Sequence, residues 1–268
     1  MYSIKGRRDS MEDESGIYEF KTSSGELVRV YAVWDGHGGK EVATLVSQQF
    51  PTILRQALAD AKTFERLEIR PLLEAAHEKM HSHIPTKFQE VGCTSCVVIY
   101  VPGKNRLFCS NIGDSRSVLY LGNSIVEEPM NILPLSIDHK PDESFESSRL
   151  GKLGATVHDA KGEKGTSRVW YANTGLSMSR AFGDLAGMPF ISHAPDFCMV
   201  KLRRGDVGLC VLACDGLWDV YSNKAAWDAI KNEAISSDLE ISKRLVRSAY
   251  EKGSTDNISV VCFPVEFN

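Results

Sequence analysis

The 268-residue sequence lacks any uninterrupted apolar run close to the roughly 20 residues that a membrane-spanning helix requires. It also lacks an excess of positive charge, because 31 lysines and arginines stand against 35 aspartates and glutamates, for a net charge of −4. A surface that binds nucleic acid through basic charge is therefore not expected. The first residues contain no apolar signal segment, and Tyr2 excludes the Met-Gly start that myristoylation needs. We expect a soluble chain with no membrane partner.

The sequence also lacks the paired cysteine spacings of a zinc finger. Cys93 and Cys96 form one C-x-x-C pair, but no second pair matches it. An odd total of seven cysteines in a long chain is typical of a reducing compartment. Cys210 and Cys214 lie in an apolar run, where buried thiols act as small hydrophobic side chains. We therefore expect an intracellular protein, cytoplasmic or nuclear, with no targeting segment in this chain.

No internal repeat, low-complexity tract or Pro/Ser-rich linker divides the chain, so we predict a single domain over residues 1–268. Helical patterns occur in pairs between blocks of strands, and short turns join most neighbouring strands. This order favours an α+β fold with antiparallel sheets over a doubly wound parallel sheet. The predicted strands are 28–34, 94–101, 106–112, 117–121, 208–214 and 257–263, and the predicted helices are 42–49, 64–84, 223–234 and 239–251.

Residues 140–176 are polar and show little regular pattern. Segments of this kind are often surface insertions that carry function, so we predict a flap here. Two interpretations of Trp170 within the flap stay open. It either anchors the flap to the body of the protein or contacts a peptide or a regulator.

Several apolar runs stop at an aspartate. Asp35 follows a strand in VWDGHGG, Asp114 follows another in NIGDSR, Asp215 follows a third in LACDGLWD, and Asp256 precedes the last in STDN. One Asp-Gly at the end of a strand is usually only a turn. If a sandwich brings these ends to one rim, however, the carboxylates repel one another unless cations compensate them. Mg²⁺ and Mn²⁺ prefer such oxygen ligands, so the pattern predicts a divalent metal site.

His37 has no second histidine at metal-ligand spacing. Two interpretations stay open from the sequence alone. His37 exchanges a proton near neutral pH beside an oxygen-rich site, or it only forms a hydrogen bond within a loop.

Eight motifs in order resemble the metal-dependent serine/threonine protein phosphatases of type 2C, also called the PPM family. They are GRRDSMED, VWDGHGG, GCTSCVVIY, NIGDSRSVLY, LSIDHKP, GLSMSRAFGD, LACDGLWDV and STDNISVVCF. The resemblance covers nearly the whole chain. It implies a central antiparallel β-sandwich of two sheets with α-helices on both outer faces, in four layers, and a site for two Mg²⁺ or Mn²⁺ ions at one rim.

By the same resemblance, Asp35 would bridge the two ions and Gly36 would offer its backbone carbonyl to one of them. Asp215 and Asp256 would hold the other. Each of these positions stands in a matching motif of this sequence.

The remaining acidic positions are assigned on the resemblance as well. Glu12 and Asp13 would act through metal-bound water molecules, and Asp13 is therefore counted with the catalytic residues. Asp114 and Asp219, with Asp215, match a weaker third metal site of the family.

The resemblance implies that Arg8 binds the phosphate, for which a bidentate guanidinium is suited, with the adjacent Arg7 as the weaker candidate. His37 would protonate the leaving oxygen. A water or hydroxide bridging the two ions would attack phosphoserine or phosphothreonine directly, without a covalent intermediate. The expected partners are phosphorylated proteins and a regulator at the flap, and the expected state is a monomer.

One alternative is a pseudophosphatase, a catalytically silent partner-binding protein of the same fold. Such a protein should lose ligand positions, yet Asp35, Asp215 and Asp256 are all present. An EF-hand starting at Asp9 fails because Met11 stands at its third position. A serine hydrolase fails because the nearest G-x-S-x-G string, from Gly175, lacks its last glycine.

Overall fold

The computed structural model describes residues 1–122, 128–158, 167–171, 174–231 and 237–267. Two five-stranded antiparallel sheets lie at its centre. From edge to edge, the first sheet contains β14 (Asp196–Lys201), β7 (Arg106–Ile112), β6 (Ser95–Val101), β3 (Leu27–Trp34) and β2 (Glu14–Lys21). The second sheet contains β1 (Tyr2–Ile4), β16 (Ile258–Glu266), β15 (Val207–Ala213), β8 (Arg116–Gly122) and β9 (Asn131–Pro134).

Helices cover both outer faces. On the first sheet lie α1 (Glu41–Leu58) and α2 (Arg66–Ser82), and on the second lie α4 (Asp215–Trp218), α5 (Asn223–Asp228) and α6 (Asp238–Glu251). In α1 the buried Val42, Val46 and Phe50 are spaced four residues apart and form one apolar face. The predicted four-layer α+β architecture is confirmed.

The two sheets pack through alternate residues of their strands. In β3, Val30 and Ala32 point towards α1 and α2, whereas Tyr31 and Val33 point towards the second sheet. The Tyr31 ring stacks on Phe263 of β16, with the ring centroids 3.5 Å apart. Because both faces of such a strand are buried, the strand appears in the sequence as a continuous apolar run.

The segment 140–176 contains regular structure that its polar sequence did not indicate. It includes α3 (Ser144–Leu153) and a small antiparallel sheet of β10 (Thr156–His158), β11 (Arg168–Tyr171) and β12 (Thr174–Leu176). Residues of α3 and this sheet form an apolar cluster separate from the main core. Residues 159–166 and 172–173 of the segment lie outside the described residues.

Other element boundaries also differ from the sequence-based expectation. The helix predicted at 223–234 ends at Asp228, and residues 232–234 lie outside the described residues. Strands β1, β2, β9 and β14 were not predicted. Most of their positions are partly buried or exposed, and their apolar stretches, such as residues 197–200 in β14, are shorter than the buried runs of the central strands. Among the described residues, no helix is long and apolar enough to cross a membrane.

Antiparallel pairing places at one rim the strand ends that lie next to the candidate aspartates. The ends of β3 and β7 both lie beside the start of β6. In the second sheet, the end of β15 lies beside the start of β16 and the start of β8. A second small sheet sits near the rim and is formed by β4 (Gly36–His37), β5 (Gly92–Cys93) and β13 (Phe182–Gly183).

Candidate active site

A cleft of about 310 Å³ opens at this rim. The four residues predicted to bind the two ions all line it, although they come from both sheets. They are Asp35 and Gly36 after β3, Asp215 after β15 and Asp256 before β16. The structure therefore brings together three of the four carboxylates that the strand ends predicted to converge, all except Asp114.

Local contacts fix the end of β3. The Asp35 backbone N–H donates to Oγ1 of Thr94 at 3.0 Å, and the Thr94 N–H donates to the Asp35 carbonyl at 2.9 Å. At Gly36, a Cβ would lie 2.5 Å from the backbone oxygen of Glu12. Only glycine lets the chain around Glu12 approach so closely. The space at Gly36 thus brings the N-terminal acidic pair to the same cleft.

Glu12 lines the cleft and is held on three sides. Its carboxylate accepts from the Ser10 hydroxyl at 2.7 Å and from the Gly39 N–H at 3.3 Å. Its own N–H donates to Oδ1 of Asn257 at 2.8 Å. The Asn257 amide also donates to the carbonyl of Ser10 at 2.9 Å, and so orders this loop. Sequence reasoning did not single out Asn257, although it directly follows Asp256.

The acidic side chains lack the compensation that their burial requires. Burial raises the pKa of Asp13 to about 6. Burial also raises the pKa of Asp35 well above its ordinary value, and the charges of Asp13 and Asp215 add to the effect. Both carboxylate oxygens of Asp13 are buried without a hydrogen-bond partner among the described residues. Buried, unpaired carboxylates of this kind fit a site that divalent cations compensate.

Cys214 lies next to the carboxylates of Asp13 and Asp35. An oxygen of Asp13, an oxygen of Asp35 and Sγ of Cys214 all lie within 4.8 Å of one another. Burial raises the pKa of the Cys214 thiol well above its ordinary value, so the thiol keeps its proton. The donor set of the cleft is therefore dominated by oxygen, which suits Mg²⁺ or Mn²⁺.

The two residues predicted for a third metal site do not line the cleft. Asp114 is fully buried, and its carboxylate pairs with Nζ of Lys140. Asp219 is exposed at the end of α4. Both nevertheless act on the cleft, because their negative charges add to burial in raising the pKa of Asp215. The positive charge of Lys140 opposes them, because it lowers the pKa of Asp215. Sequence reasoning did not single out Lys140.

Arg8 lines the cleft, with its side chain 59% exposed. Its Nη2 donates to Oδ2 of Asp256 at 2.6 Å. Arg7 lies elsewhere, with its guanidinium 5.1 Å from the centre of the Tyr250 ring. Of the two adjacent arginines, only Arg8 is placed to meet an anion in the cleft.

His37 lines the cleft and is held from behind by a buried carboxylate. Its Nε2 lies 2.6 Å from Oδ2 of Asp184, which is fully buried. The other oxygen, Oδ1, accepts from the Tyr171 hydroxyl at 3.0 Å. Burial lowers the pKa of His37, but the charge of Asp184 and the hydrogen bond raise it by more, so it lies above its usual value. Sequence reasoning left Asp184 and Tyr171 out, because Gly183-Asp184 resembles an ordinary turn.

The cleft thus combines an acidic cluster suited to cations, an exposed arginine suited to an anion and a histidine suited to proton exchange. This is the chemistry of a site that handles a phosphate group.

Comparison with known proteins agrees with the chemistry of the cleft. The sequence profile of the family described as protein phosphatase 2C matches residues 1–258. "Probable protein phosphatase 2C 59" of Arabidopsis thaliana is 34% identical over 262 residues, covering 97% of this chain and 76% of that protein. "Protein phosphatase 1L" of Bos taurus is 30% identical over 270 residues, covering 97% of this chain and 70% of that protein.

Solved structures agree on the fold. A sex-determining protein of C. elegans superposes with a TM-score of 0.80 at 26% identity, over 97% of this chain and 63% of that one. Serine-threonine phosphatase 2C from Toxoplasma gondii superposes with a TM-score of 0.74 at 20% identity, over 97% of this chain and 92% of that one. The chain belongs to the protein phosphatase 2C family of serine/threonine protein phosphatases.

Proposed function

We propose that this chain is an active phosphatase that hydrolyses phosphoserine and phosphothreonine in proteins and depends on two Mg²⁺ or Mn²⁺ ions, with a weaker third. The observation that carries the proposal is the convergence of Asp35, Asp215 and Asp256 on one cleft, with the pKa values of Asp35 and Asp215 raised by burial and mutual repulsion. A pseudophosphatase has no need to keep a cluster of carboxylates that repel one another.

Asp35, Gly36, Asp215 and Asp256 would hold the ions, and Glu12, which lines the same cleft, would orient the water around them. Asp13 does not line the cleft but lies beside Asp35, and would orient water together with Glu12. When bound, the ions supply a nucleophilic water at neutral pH and compensate the charge of the phosphoryl oxygens. The chain would use Asp114 and Asp219 for the third, weaker site.

The rest of the mechanism belongs to the chain's own side chains. Arg8 binds and orients the phosphate from the exposed edge of the cleft, and the Asp256 carboxylate holds its guanidinium until substrate arrives. His37 gives a proton to the departing serine or threonine oxygen as the P–O bond breaks. A positioned general acid contributes about 10²- to 10⁴-fold to such a step.

Phosphorylated proteins are the proposed partners, and the monomer is the proposed state. A regulator would bind at the flap, where Trp170 is 39% exposed and packs beside His158 with ring centroids 5.4 Å apart. His158 lies in β10 of the same small sheet, so this contact is internal to the flap and favours neither the regulator nor the anchoring interpretation of Trp170. The seven free thiols fit a reducing compartment, so we place the protein in the cytoplasm or nucleus.

Phosphate release from a phosphothreonine peptide tests the proposal. We expect release in the presence of Mn²⁺, its loss after EDTA and its return when Mn²⁺ is restored. Asp35→Asn is the matched negative variant and should stay inactive at every Mn²⁺ concentration. Release that survives EDTA, or none at all with Mn²⁺, contradicts the proposal.

A further inference from the structure

The link from His37 to Tyr171 joins the cleft to the flap. Tyr171 is the last residue of β11, and Asp184 begins the turn after β13, so the two lie on different elements. Asp184 uses one carboxylate oxygen for His37 and the other for Tyr171. A single buried carboxylate therefore connects the ring in the cleft to the backbone of the flap.

The backbone at Asp184 indicates that this geometry is maintained at a cost. Asp184 has φ of +49°, in the left-handed region that non-glycine residues rarely adopt. Its N–H donates to the Val91 carbonyl at 3.1 Å, which fixes the strained residue. Strain of this kind persists only where the surrounding structure enforces it.

The space around the side chains of His37 and Asp184 is also restricted. A Cβ on Gly92 would lie 2.1 Å from Oδ2 of Asp184 and 2.6 Å from Nε2 of His37. Glycine is the only residue that leaves room for the direct contact between the two side chains.

We propose that Asp184 is the positioning residue for His37, and that Tyr171 makes its position depend on the flap. This inference rests on the proposed phosphatase function. Asp184 holds Nε2 of the ring at 2.6 Å, and Nδ1 is buried without a hydrogen-bond partner among the described residues. As the P–O bond breaks, the protonated ring gives one proton to the Ser or Thr oxygen and becomes neutral, and the Asp184 carboxylate stays charged.

The test compares substrates whose leaving groups need a proton to different degrees. A phosphothreonine peptide has a poor leaving group, whereas p-nitrophenyl phosphate has a good one. With the peptide we expect Asp184→Asn to lower kcat about 10²-fold and Tyr171→Phe to lower it about tenfold, with KM little changed. With p-nitrophenyl phosphate both losses should be under about threefold, because little proton donation is needed.

A double-mutant cycle separates positioning from a structural effect. If Asp184 acts through His37, adding Asp184→Asn to His37→Ala should slow the peptide reaction no further than about twofold. Tyr100→Phe is the matched control, since it removes a tyrosine hydroxyl that donates to the Glu266 carbonyl at 2.8 Å, away from the cleft. This control should leave both substrates unaffected.

The outcomes separate the two proposals. A wild-type protein with no metal-dependent activity overturns the proposed function and this inference with it. An active wild type whose Asp184→Asn and Tyr171→Phe variants lose both substrates equally overturns only this inference. Additive losses of kcat in the double-mutant cycle of His37 and Asp184 also overturn only this inference. If Asp184→Asn fails to fold, the kinetics of Tyr171→Phe on the two substrates still test this inference, since that variant removes a single hydroxyl and is expected to fold.

Discussion

The guanidinium of Arg8 donates to the carboxylate of Asp256 at 2.6 Å, which joins the predicted phosphate ligand to a predicted metal ligand. The two residues lie at opposite ends of the sequence, and both side chains are partly exposed. An exposed ion pair of this kind contributes little to stability. In the proposed mechanism its role is in binding, since a cation that took Asp256 would leave the Arg8 guanidinium available for the substrate.

We predict that Arg8→Ala raises KM for a phosphothreonine peptide about tenfold or more, while kcat falls less. The reason is that the substrate phosphate loses a charged hydrogen-bond donor. Steady-state kinetics at saturating Mn²⁺ measure both constants. Arg7→Ala is the control, because Arg7 lies on Tyr250 and should leave KM unchanged. An equal rise in KM for both variants would contradict the assignment to Arg8.

The unpaired carboxyl of Asp13 predicts a pH dependence of stability in the metal-free protein. Its pKa is about 6 in the folded state and near 3.8 when unfolded, so the folded state holds more protons between these values. The free energy of unfolding should therefore fall as pH rises from about 4 to about 6, by about 3 kcal/mol from this group. Urea unfolding in EDTA across this pH range measures the effect.

Other groups also titrate between about pH 4 and pH 6, so a variant is needed to isolate the contribution of Asp13. His77, whose pKa burial lowers to about 4, contributes in the opposite direction. Asp13→Asn removes the Asp13 contribution together with the part of the Asp35 pKa shift that the Asp13 charge causes. The difference in the free energy of unfolding between wild type and variant should narrow towards pH 4. A constant difference between pH 4 and pH 7 would show that Asp13 is not buried and unpaired.

The ion pair between Lys140 and Asp114 predicts a stability effect at the predicted third site. In Lys140→Met, Asp114 stays buried and loses its partner, which should lower the free energy of unfolding by about 3 kcal/mol. Urea unfolding in EDTA checks this value. The double variant Lys140→Met/Asp114→Asn should recover most of the loss, because no unpaired charge remains. A double variant as unstable as the single one would assign the loss to packing of the lysine chain instead.

The contact at Gly92 predicts that an added methyl group separates His37 from Asp184. Gly92→Ala should lower kcat on a phosphothreonine peptide by at least about tenfold. Gly151→Ala is the matched control, because a Cβ there meets nothing within 4 Å and the residue lies within α3. Alanine in a helix should leave activity intact and slightly raise stability. Equal activity of the two variants would contradict the close contact.

The fold and the convergence of the carboxylates could be predicted because their causes lie in short stretches of sequence. A strand buried on both faces, such as β3, is a continuous apolar run, and its end at Asp35 is visible directly. Edge strands such as β14 carry half-exposed side chains, and the apolar stretch of β14 covers only residues 197–200. In β11 of the flap, Arg168–Tyr171 alternates between exposed and buried over only four residues, which is too short to recognise.

The residues that sequence analysis missed act through contacts between distant segments. Asp184 meets His37 across 147 residues, and Lys140 meets Asp114 across 26. No spacing rule links such pairs, and Gly183-Asp184 alone indicates only a turn. The family resemblance named the groups expected to face the substrate, whereas the groups behind them became visible only with the fold.

Asp35 ends a strand of the first sheet and Asp215 follows a strand of the second, so an ion held by both would fasten the two halves of the sandwich together. Withdrawing divalent ions would leave like charges facing each other across this joint. Ion supply would then affect the stability of the folded chain and its rate of proteolysis as well as its turnover.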